Sequence, residues 1–157
     1  MGNNIMNIDT VNISEDKKSL VIIDQTQLPN NVEILYLKDQ REIWEAIYLL
    51  KVRGAPAIGV AAAIGVYLAS LEIETDNYDE FAAKFKEAKD YLASSRPTAV
   101  NLFWALDRME DVVKNNKDKT VDQIKDLLLE EAIDIREEDI WVCKSIGEYG
   151  LSLIKDG

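Results

Sequence analysis

Residues 51–66, KVRGAPAIGVAAAIGV, decide the fold of this chain because they contain a helix start followed by the most apolar run of the sequence. Pro56 suits the first position of a helix, where its missing N–H removes no hydrogen bond. We predict a helix from Pro56 to about Leu71. The apolar run over residues 55–68 is shorter than the roughly 20 residues that cross a bilayer. Small residues let neighbouring elements approach this helix closely: Ala57, Gly59, Ala61, Ala62, Ala63 and Gly65.

Short β-branched segments precede this helix. Residues 11–13 and 20–23 flank the polar residues 14–19, which predicts a hairpin. Residues 32–37 alternate well enough to form a third strand. Asp39 is then a candidate N-cap of a first helix. The apolar positions with helical spacing in that helix are Ile43, Trp44, Ile47 and Leu50.

Three further helices are predicted after the apolar one. The third covers about residues 78–92, and the fourth runs from Pro97 to about Val113. After the polar loop 115–119, Thr120 caps a last helix. Its predicted core positions are Val121, Ile124, Leu128, Ile135, Val142 and Ile146. The predicted fold is α+β and mainly α, with a small antiparallel sheet in residues 1–38 and a helical bundle in residues 39–157.

The composition excludes several classes of function. The chain has 157 residues, 29 acidic and 18 basic, one cysteine and no histidine. Histidine-dependent triads, dyads and metal sites are therefore excluded within it, as are an internal disulfide and a cysteine zinc site. The net charge of −11 opposes binding to nucleic acid or to an anionic membrane. With no visible targeting or membrane segment, we predict a cytoplasmic protein.

The loop that opens the apolar helix is a candidate anion site. Gly54 lets a ligand approach the backbone, and the free N–H groups of a helix start attract negative charge. Arg53 adds a permanent forked cation suited to phosphate. The alternative is a packed core helix in which Arg53 pairs with a carboxylate.

A second segment, residues 93–106, ASSRPTAVNLFWAL, has the same order of residues. Arg96 precedes Pro97, and Ser94 and Ser95 offer a cap and hydroxyl donors. The alternative here is an ordinary capped turn with Arg96 facing solvent. Together the two starts predict a shared phosphate site, to which each contributes a cation and backbone donors.

Other polar and aromatic residues favour structural roles. Cys143 in the last helix is predicted to be a packing residue. The acidic cluster of the same helix can bind metal or act in acid–base chemistry, but a solvated face is the prediction. The acidic residues are Glu130, Glu131, Asp134, Glu137, Glu138 and Asp139, and the aromatic residues predicted as core or interface anchors are Trp44, Phe103, Trp104 and Trp141.

The strings KVRGAPAIGVAAAIGVYLA and SSRPTAVNLFWALDRM, at this separation, resemble the methylthioribose-1-phosphate isomerases. That family shares a superfamily with the regulatory subunits of the translation-initiation guanine-nucleotide exchange factor. The resemblance implies an aldose–ketose isomerisation in methionine salvage, with no metal and no organic cofactor. It also implies that Arg53, Gly54 and Ala55 form one substrate-binding loop and that Arg96 contributes a second contact.

The resemblance places the catalytic cysteine and aspartate outside this chain. In the family they lie in a Rossmann-like C-terminal domain, and the segment resembling T-x-C-N-x-G would follow Gly157. No catalytic residue is therefore expected within residues 1–157, which correspond to the N-terminal domain alone. The implied partners are a sugar phosphate, the missing domain and, in the full-length protein, a second copy in a homodimer.

Three readings stay open from the sequence. The first is the substrate-binding part of an isomerase, acting on methylthioribose 1-phosphate, 5-deoxyribose 1-phosphate or another ribose phosphate. The second is a non-catalytic scaffold related to the translation-factor subunits. The third is a freestanding helical interaction domain.

Overall fold

The computed structural model of the chain describes residues 9–154, in which three strands precede five helices. The strands are β1 (Val11–Ile13), β2 (Leu20–Ile23) and β3 (Ile34–Leu37). The helices are α1 (Gln40–Tyr48), α2 (Ala55–Leu71), α3 (Tyr78–Ala93), α4 (Val100–Asn115) and α5 (Val121–Leu151). The predicted fold class, mainly α with a small antiparallel sheet, is confirmed. The predicted outer bounds, Met1 and Gly157, lie outside the described residues.

The sheet is antiparallel in the order β1-β2-β3. Leu20 pairs with Ile13 on one side and with Leu37 on the other, and all three side chains are buried. Val21 and Tyr36 pair on the opposite face, where Tyr36 is exposed. Because side chains alternate between the two faces, the buried face of the sheet packs against the helices. β3 starts at Ile34, two residues later than predicted.

α2 is the central helix of the bundle. It packs against all four other helices and against β1 and β2. Every residue from Ile58 to Ser70 is buried, and the helix contains no charged residue. A helix that is apolar on every side needs neighbours on every side. No helix among residues 9–154 is long and apolar enough to cross a membrane.

Glycine and alanine allow α4 to approach α2 at close range. A Cβ atom added to Gly59 would lie 2.9 Å from the carbonyl oxygen of Asn101, closer than Cβ atoms are found to any neighbour. The same added atom would lie 3.5 Å from the Cβ of Ala105. The second turn of α2 therefore touches the first turn of α4, and the starts of both helices lie at the same end of the bundle.

The helix starts fall into two groups. α1, α3 and α5 each begin at a side chain that accepts backbone N–H groups: Asp39, Asn77 and Thr120. Glu42 and Gln123 complete capping boxes in α1 and α5. α2 and α4 begin at Gly54 and Ala99, with no side-chain cap. Their first N–H groups are therefore left for other acceptors.

The structure corrects four predictions about helix bounds and burial. α1 ends at Tyr48, so Leu50, predicted as an apolar position of this helix, lies beyond it and is exposed. α4 begins at Val100 instead of Pro97, because residues 97–99 form a turn. Pro56 occupies the second helical position of α2, where it again removes no hydrogen bond. The last part of α5 extends beyond the core, so its apolar residues lack neighbours to bury them. The predicted core residues Val142 and Ile146, and the predicted packing residue Cys143, are therefore exposed.

Candidate functional site

The end of α1 holds the loop that carries Arg53. The carbonyl oxygen of Ala46 accepts the N–H groups of Lys51 and Val52, at 2.9 and 3.3 Å. The Val52 side chain is buried in the core, which fixes the residue immediately before Arg53. Gly54 then has a φ of +96°, in the region that side-chain-bearing residues avoid. The loop thus presents an exposed Arg53 beside the start of α2.

The start of α2 leaves backbone donors free. Ile58 donates its N–H to the carbonyl of Gly54, which is the first bond of the helix. The N–H groups of Ala55 and Ala57 have no acceptor within residues 9–154, and Pro56 has no N–H. The exposed residues 54–56 open these groups to solvent. Free N–H groups at the positive end of a helix favour an anion.

The segment that carries Arg96 is a turn between α3 and α4. Ser94 and Ser95 end α3 by donating their hydroxyls to the carbonyls of Tyr91 and Leu92, each at 2.6 Å. They therefore cap the preceding helix, not the following one as predicted. The carbonyl of Arg96 accepts the N–H of Ala99 at 3.0 Å, which closes the turn before α4. Arg96 itself is half-buried.

The five arginines of the chain divide by their partners. Arg136 contacts Asp9 and Glu137, and Arg108 contacts Glu131 and Glu138. The remaining three, Arg41, Arg53 and Arg96, make no side-chain hydrogen bond or ion pair within residues 9–154. The alternative prediction, an Arg53–carboxylate pair, is thus not found in this part of the chain. The two candidate arginines keep their guanidinium groups available, and no side-chain contact joins them directly.

A cavity of about 290 Å³ lies beside the two helix starts. Pro56 and Val60 of α2 form one wall and Asn101 and Trp104 of α4 another. The α5 wall consists of Ile135, Glu138, Asp139 and Val142. The cavity is mostly apolar, so it suits the carbon skeleton of a ligand better than its charge. A larger recess of about 610 Å³ lies on the outer face of the sheet and is lined by no residue of the α2 or α4 start.

An ion cluster fixes the wall between α4 and α5. Arg108 donates to both carboxyl oxygens of Glu138, at 2.6 and 2.7 Å, and also contacts Glu131. Its guanidinium lies 5.5 Å from the ring centre of Trp104. The Glu138 hydrogen bonds raise the pKa of Arg108 despite the opposing effect of burial, and Arg108 lowers the pKa of Glu138. The predicted solvated acidic face of α5 is therefore only partly solvated.

The structure also shows two features that residue patterns did not predict. The absence of a side-chain cap at Ala99 has a signal in the sequence, since alanine cannot cap a helix. The hydrogen bond from the indole of Trp44 to Ser94 joins residues 50 positions apart, and no local pattern signals it.

Within residues 9–154, no group of three or more acidic or cysteine side chains is arranged to hold a metal ion.

Comparison with known proteins places these residues in a family. A profile of the initiation factor 2 subunit family matches residues 51–157, from the Arg53 loop onward. The chain belongs to this family. The match includes the Arg53 loop, the starts of α2 and α4, and α5. The residues of the candidate site therefore lie within the region that the family profile matches.

Similar proteins carry names from both branches of the superfamily. A 5-deoxyribose 1-phosphate isomerase of Petrotoga mobilis is 53% identical, over 97% of this chain and 44% of that protein. The crystal structure of 5-methylthioribose 1-phosphate isomerase from Pyrococcus horikoshii matches with a TM-score of 0.88 and 37% identity, over 94% of this chain and 41% of that one. The delta subunit of translation initiation factor eIF-2B from A. fulgidus gives 0.85 and 38%, over 96% and 43%. The chain spans less than half the length of each.

Proposed function

We propose that this chain binds the phosphate of a sugar 1-phosphate and forms the substrate-binding part of an aldose–ketose isomerase. The observation that carries the proposal is the pair of uncapped helix starts, each preceded by an arginine without a partner in the described structure. Two isomerases of sugar 1-phosphates among the similar proteins support it. Arg53, with the backbone of Gly54 and Ala55, and Arg96 are the proposed binding residues.

The phosphate group is the part of the proposed ligand that the described donors fit best. A chain with a net charge of −11 repels an anion at long range, so binding needs short-range donors. Two guanidinium groups and the free N–H groups of Ala55 and Ala57 are such donors. Binding the phosphate would hold the sugar in place while other groups move its protons.

The proposed reaction opens the sugar ring and moves hydrogen between C1 and C2, which converts the aldose phosphate to its ketose isomer. The chain contains no histidine to act as acid or base. We assign the proton transfers to a cysteine and an aspartate in the region that the relatives have in addition. Under this proposal the substrate is 5-methylthioribose 1-phosphate, which places the protein in methionine salvage in the cytoplasm. 5-Deoxyribose 1-phosphate is the alternative substrate.

The exposed end of α5 is the proposed contact surface for the rest of such a protein. Beyond Ile135 its apolar side chains have few neighbours in the described structure. These exposed residues are Trp141, Val142, Ile146, Tyr149 and Leu151, followed by Leu153 and Ile154. Exposed apolar patches of this kind mark surfaces that pack against other structure. We propose that the additional region covers this surface and that the intact protein is a homodimer.

The test is isomerase activity of the intact protein with both sugar phosphates. Arg53→Ala and Arg96→Ala should each lower kcat/KM by about 10- to 100-fold, as expected for loss of a charge-assisted hydrogen bond. Arg41→Ala is the matched control, since Arg41 is an exposed arginine of α1 whose side chain has no partner among the described residues. Unchanged kcat/KM in both site variants would contradict the proposal.

The scaffold reading has its own support in the similarity to the eIF-2B delta subunit. It predicts that the intact protein converts neither sugar phosphate and that the Arg53 and Arg96 variants behave as wild type. Copurification with other translation-factor subunits, together with no turnover, would favour it over the isomerase.

A further inference from the structure

The helix α1 contacts both arginine-bearing segments. Ala46, in its second half, accepts the N–H groups of Lys51 and Val52 and so fixes the loop of Arg53. Trp44, two residues earlier, donates its indole N–H to the hydroxyl of Ser94 at 2.9 Å. Ser94 lies two residues before Arg96. One short helix therefore connects the two segments that carry the proposed phosphate ligands.

The Ser94 hydroxyl has two partners. It accepts from the Trp44 indole and donates to the carbonyl of Tyr91 at 2.6 Å. The two bonds together restrict the serine side chain to one of its staggered rotamers. Ser94 is the C-cap residue of α3, and the turn closed by the carbonyl of Arg96 begins two residues later.

The indole of Trp44 is itself held in place by aromatic rings. It stacks on Tyr48 of α1, with ring centres 4.9 Å apart, and on Tyr91 of α3, at 6.1 Å. Stacking on two rings, one from each helix, restricts the orientation of the indole, whose N–H meets the Ser94 hydroxyl. This arrangement goes beyond simple burial, because Trp44 is only half-buried.

We infer that Trp44 is a positioning residue for Arg96, acting through its hydrogen bond to Ser94. The inference rests on the proposed phosphate-binding role of Arg96. Under this proposal Trp44 does not touch the sugar phosphate. It holds the turn so that the Arg96 guanidinium and the Arg53 loop, which α1 also holds, address the same ligand.

The chain offers a matched control for this hydrogen bond. Gln40 of α1 donates its side-chain N–H to the carbonyl of Ala88 in α3, at 2.8 Å. This bond joins the same two helices but lies away from the Arg96 turn. Gln40→Met removes the donor and keeps a side chain of similar length. Both Gln40→Met and Trp44→Phe weaken the α1–α3 contact, and only Trp44→Phe should change substrate binding.

The experiment measures KM and kcat of the intact protein with the sugar phosphate that the wild type converts. Trp44→Phe and Ser94→Ala should each raise KM about three- to tenfold with little change in kcat, as expected for one lost neutral hydrogen bond. Ser94→Thr, which keeps the hydroxyl, should restore most of the affinity. Gln40→Met should leave KM unchanged.

The decisive comparison repeats Trp44→Phe in an Arg96→Ala background. If Trp44 acts through Arg96, it should then produce no further rise in KM. A similar rise with and without Arg96, or no rise in the wild-type background, would overturn the positioning role. If Arg96→Ala alone leaves KM unchanged, or the wild type converts no sugar phosphate, the proposed function fails instead.

Discussion

The starts of α2 and α4 lie side by side, yet different devices hold their arginines. Before α2, the backbone positions Arg53: Gly54 adopts a φ of +96°, and the carbonyl of Ala46 in α1 accepts two N–H groups of the loop. Before α4, serine hydroxyls and a closed turn hold Arg96, and none of residues 94–99 has a positive φ. The start of α2 should therefore be disturbed mainly by substitutions that change the backbone conformation. The start of α4 should be disturbed mainly by substitutions that change side-chain hydrogen bonds.

The largest expected effect tests the contact that brings the two starts together. Gly59→Ala places a methyl group against the carbonyl oxygen of Asn101, which the first turn of α4 holds in place. Overpacking of this kind lowers the free energy of unfolding by about 1–3 kcal/mol. Chemical denaturation measures it.

Gly65→Ala is the comparison variant for Gly59→Ala. Its nearest contact is a side-chain methyl of Ile43, also at 2.9 Å, and a side chain can adjust more readily than a helix backbone. A smaller loss of stability is expected. If Gly65→Ala destabilises the chain as much as Gly59→Ala does, the α2–α4 contact has no special role.

The second prediction concerns the backbone of the first start. Gly54→Ala forces a side chain into a positive φ, although the added Cβ would make only an ordinary contact with the Cβ of Ala57, at 3.9 Å. The expected loss of stability is about 1–2 kcal/mol, within the range for residues held in sparsely populated backbone conformations. Gly147→Ala lies in an exposed part of α5, where the added Cβ would meet no atom within 4 Å among the described residues outside its own stretch of helix, and should instead stabilise the chain by up to about 1 kcal/mol. Equal thermal midpoints for the two variants would contradict the assigned backbone role.

The third prediction gives the start of α4 the side-chain cap that it lacks. Ala99→Ser supplies a hydroxyl for the first N–H groups and should raise the free energy of unfolding by about 1 kcal/mol. The same hydroxyl should weaken phosphate binding, because it takes a donor that the anion would use. Thr120→Ala, at the capped start of α5, should lower stability by a similar amount with no effect on binding. Tighter phosphate binding by Ala99→Ser would argue against donors at α4.

The smallest expected effect is the pH dependence of stability that comes from the Arg108–Glu138 pair between α4 and α5. Arg108 lowers the folded-state pKa of Glu138 below its ordinary value of 4.5 and ties α4 to α5. The resulting stability is present above about pH 4.5 and disappears as the pH falls through the lower folded-state value. An exposed pair of this kind contributes less than about 1 kcal/mol. Glu138→Gln should therefore flatten the acid-side decline in unfolding free energy, and an unchanged decline would show that Glu138 makes no such contribution.

Much of the fold follows from local sequence patterns. The strands, the caps at Asp39 and Thr120 and the apolar helix α2 all depend on short-range rules, and the structure has each of them. The same rules place an arginine before each of α2 and α4. The family resemblance in residues 51–69 and 94–109 adds the expected ligand.

Other features depend on contacts that local patterns do not contain. Pro97 fits a helix start, but the hydroxyls of Ser94 and Ser95 end α3 and a turn then intervenes. Val142 and Ile146 keep the helical spacing of core residues, yet the bundle ends before them, so the spacing predicts the face and not its burial. The Trp44–Ser94 bond depends on how α1 lies against α3.

The central claim is that Arg53 and Arg96 bind one phosphate group, and a double-mutant cycle on ligand affinity tests it most directly. Calorimetric titration of the sugar 1-phosphate into wild-type protein, Arg53→Ala, Arg96→Ala and the double variant gives four dissociation constants. Two arginines on one phosphate should show a coupling energy of at least about 0.5 kcal/mol. Additive losses, or an affinity that neither substitution changes, would contradict the shared site.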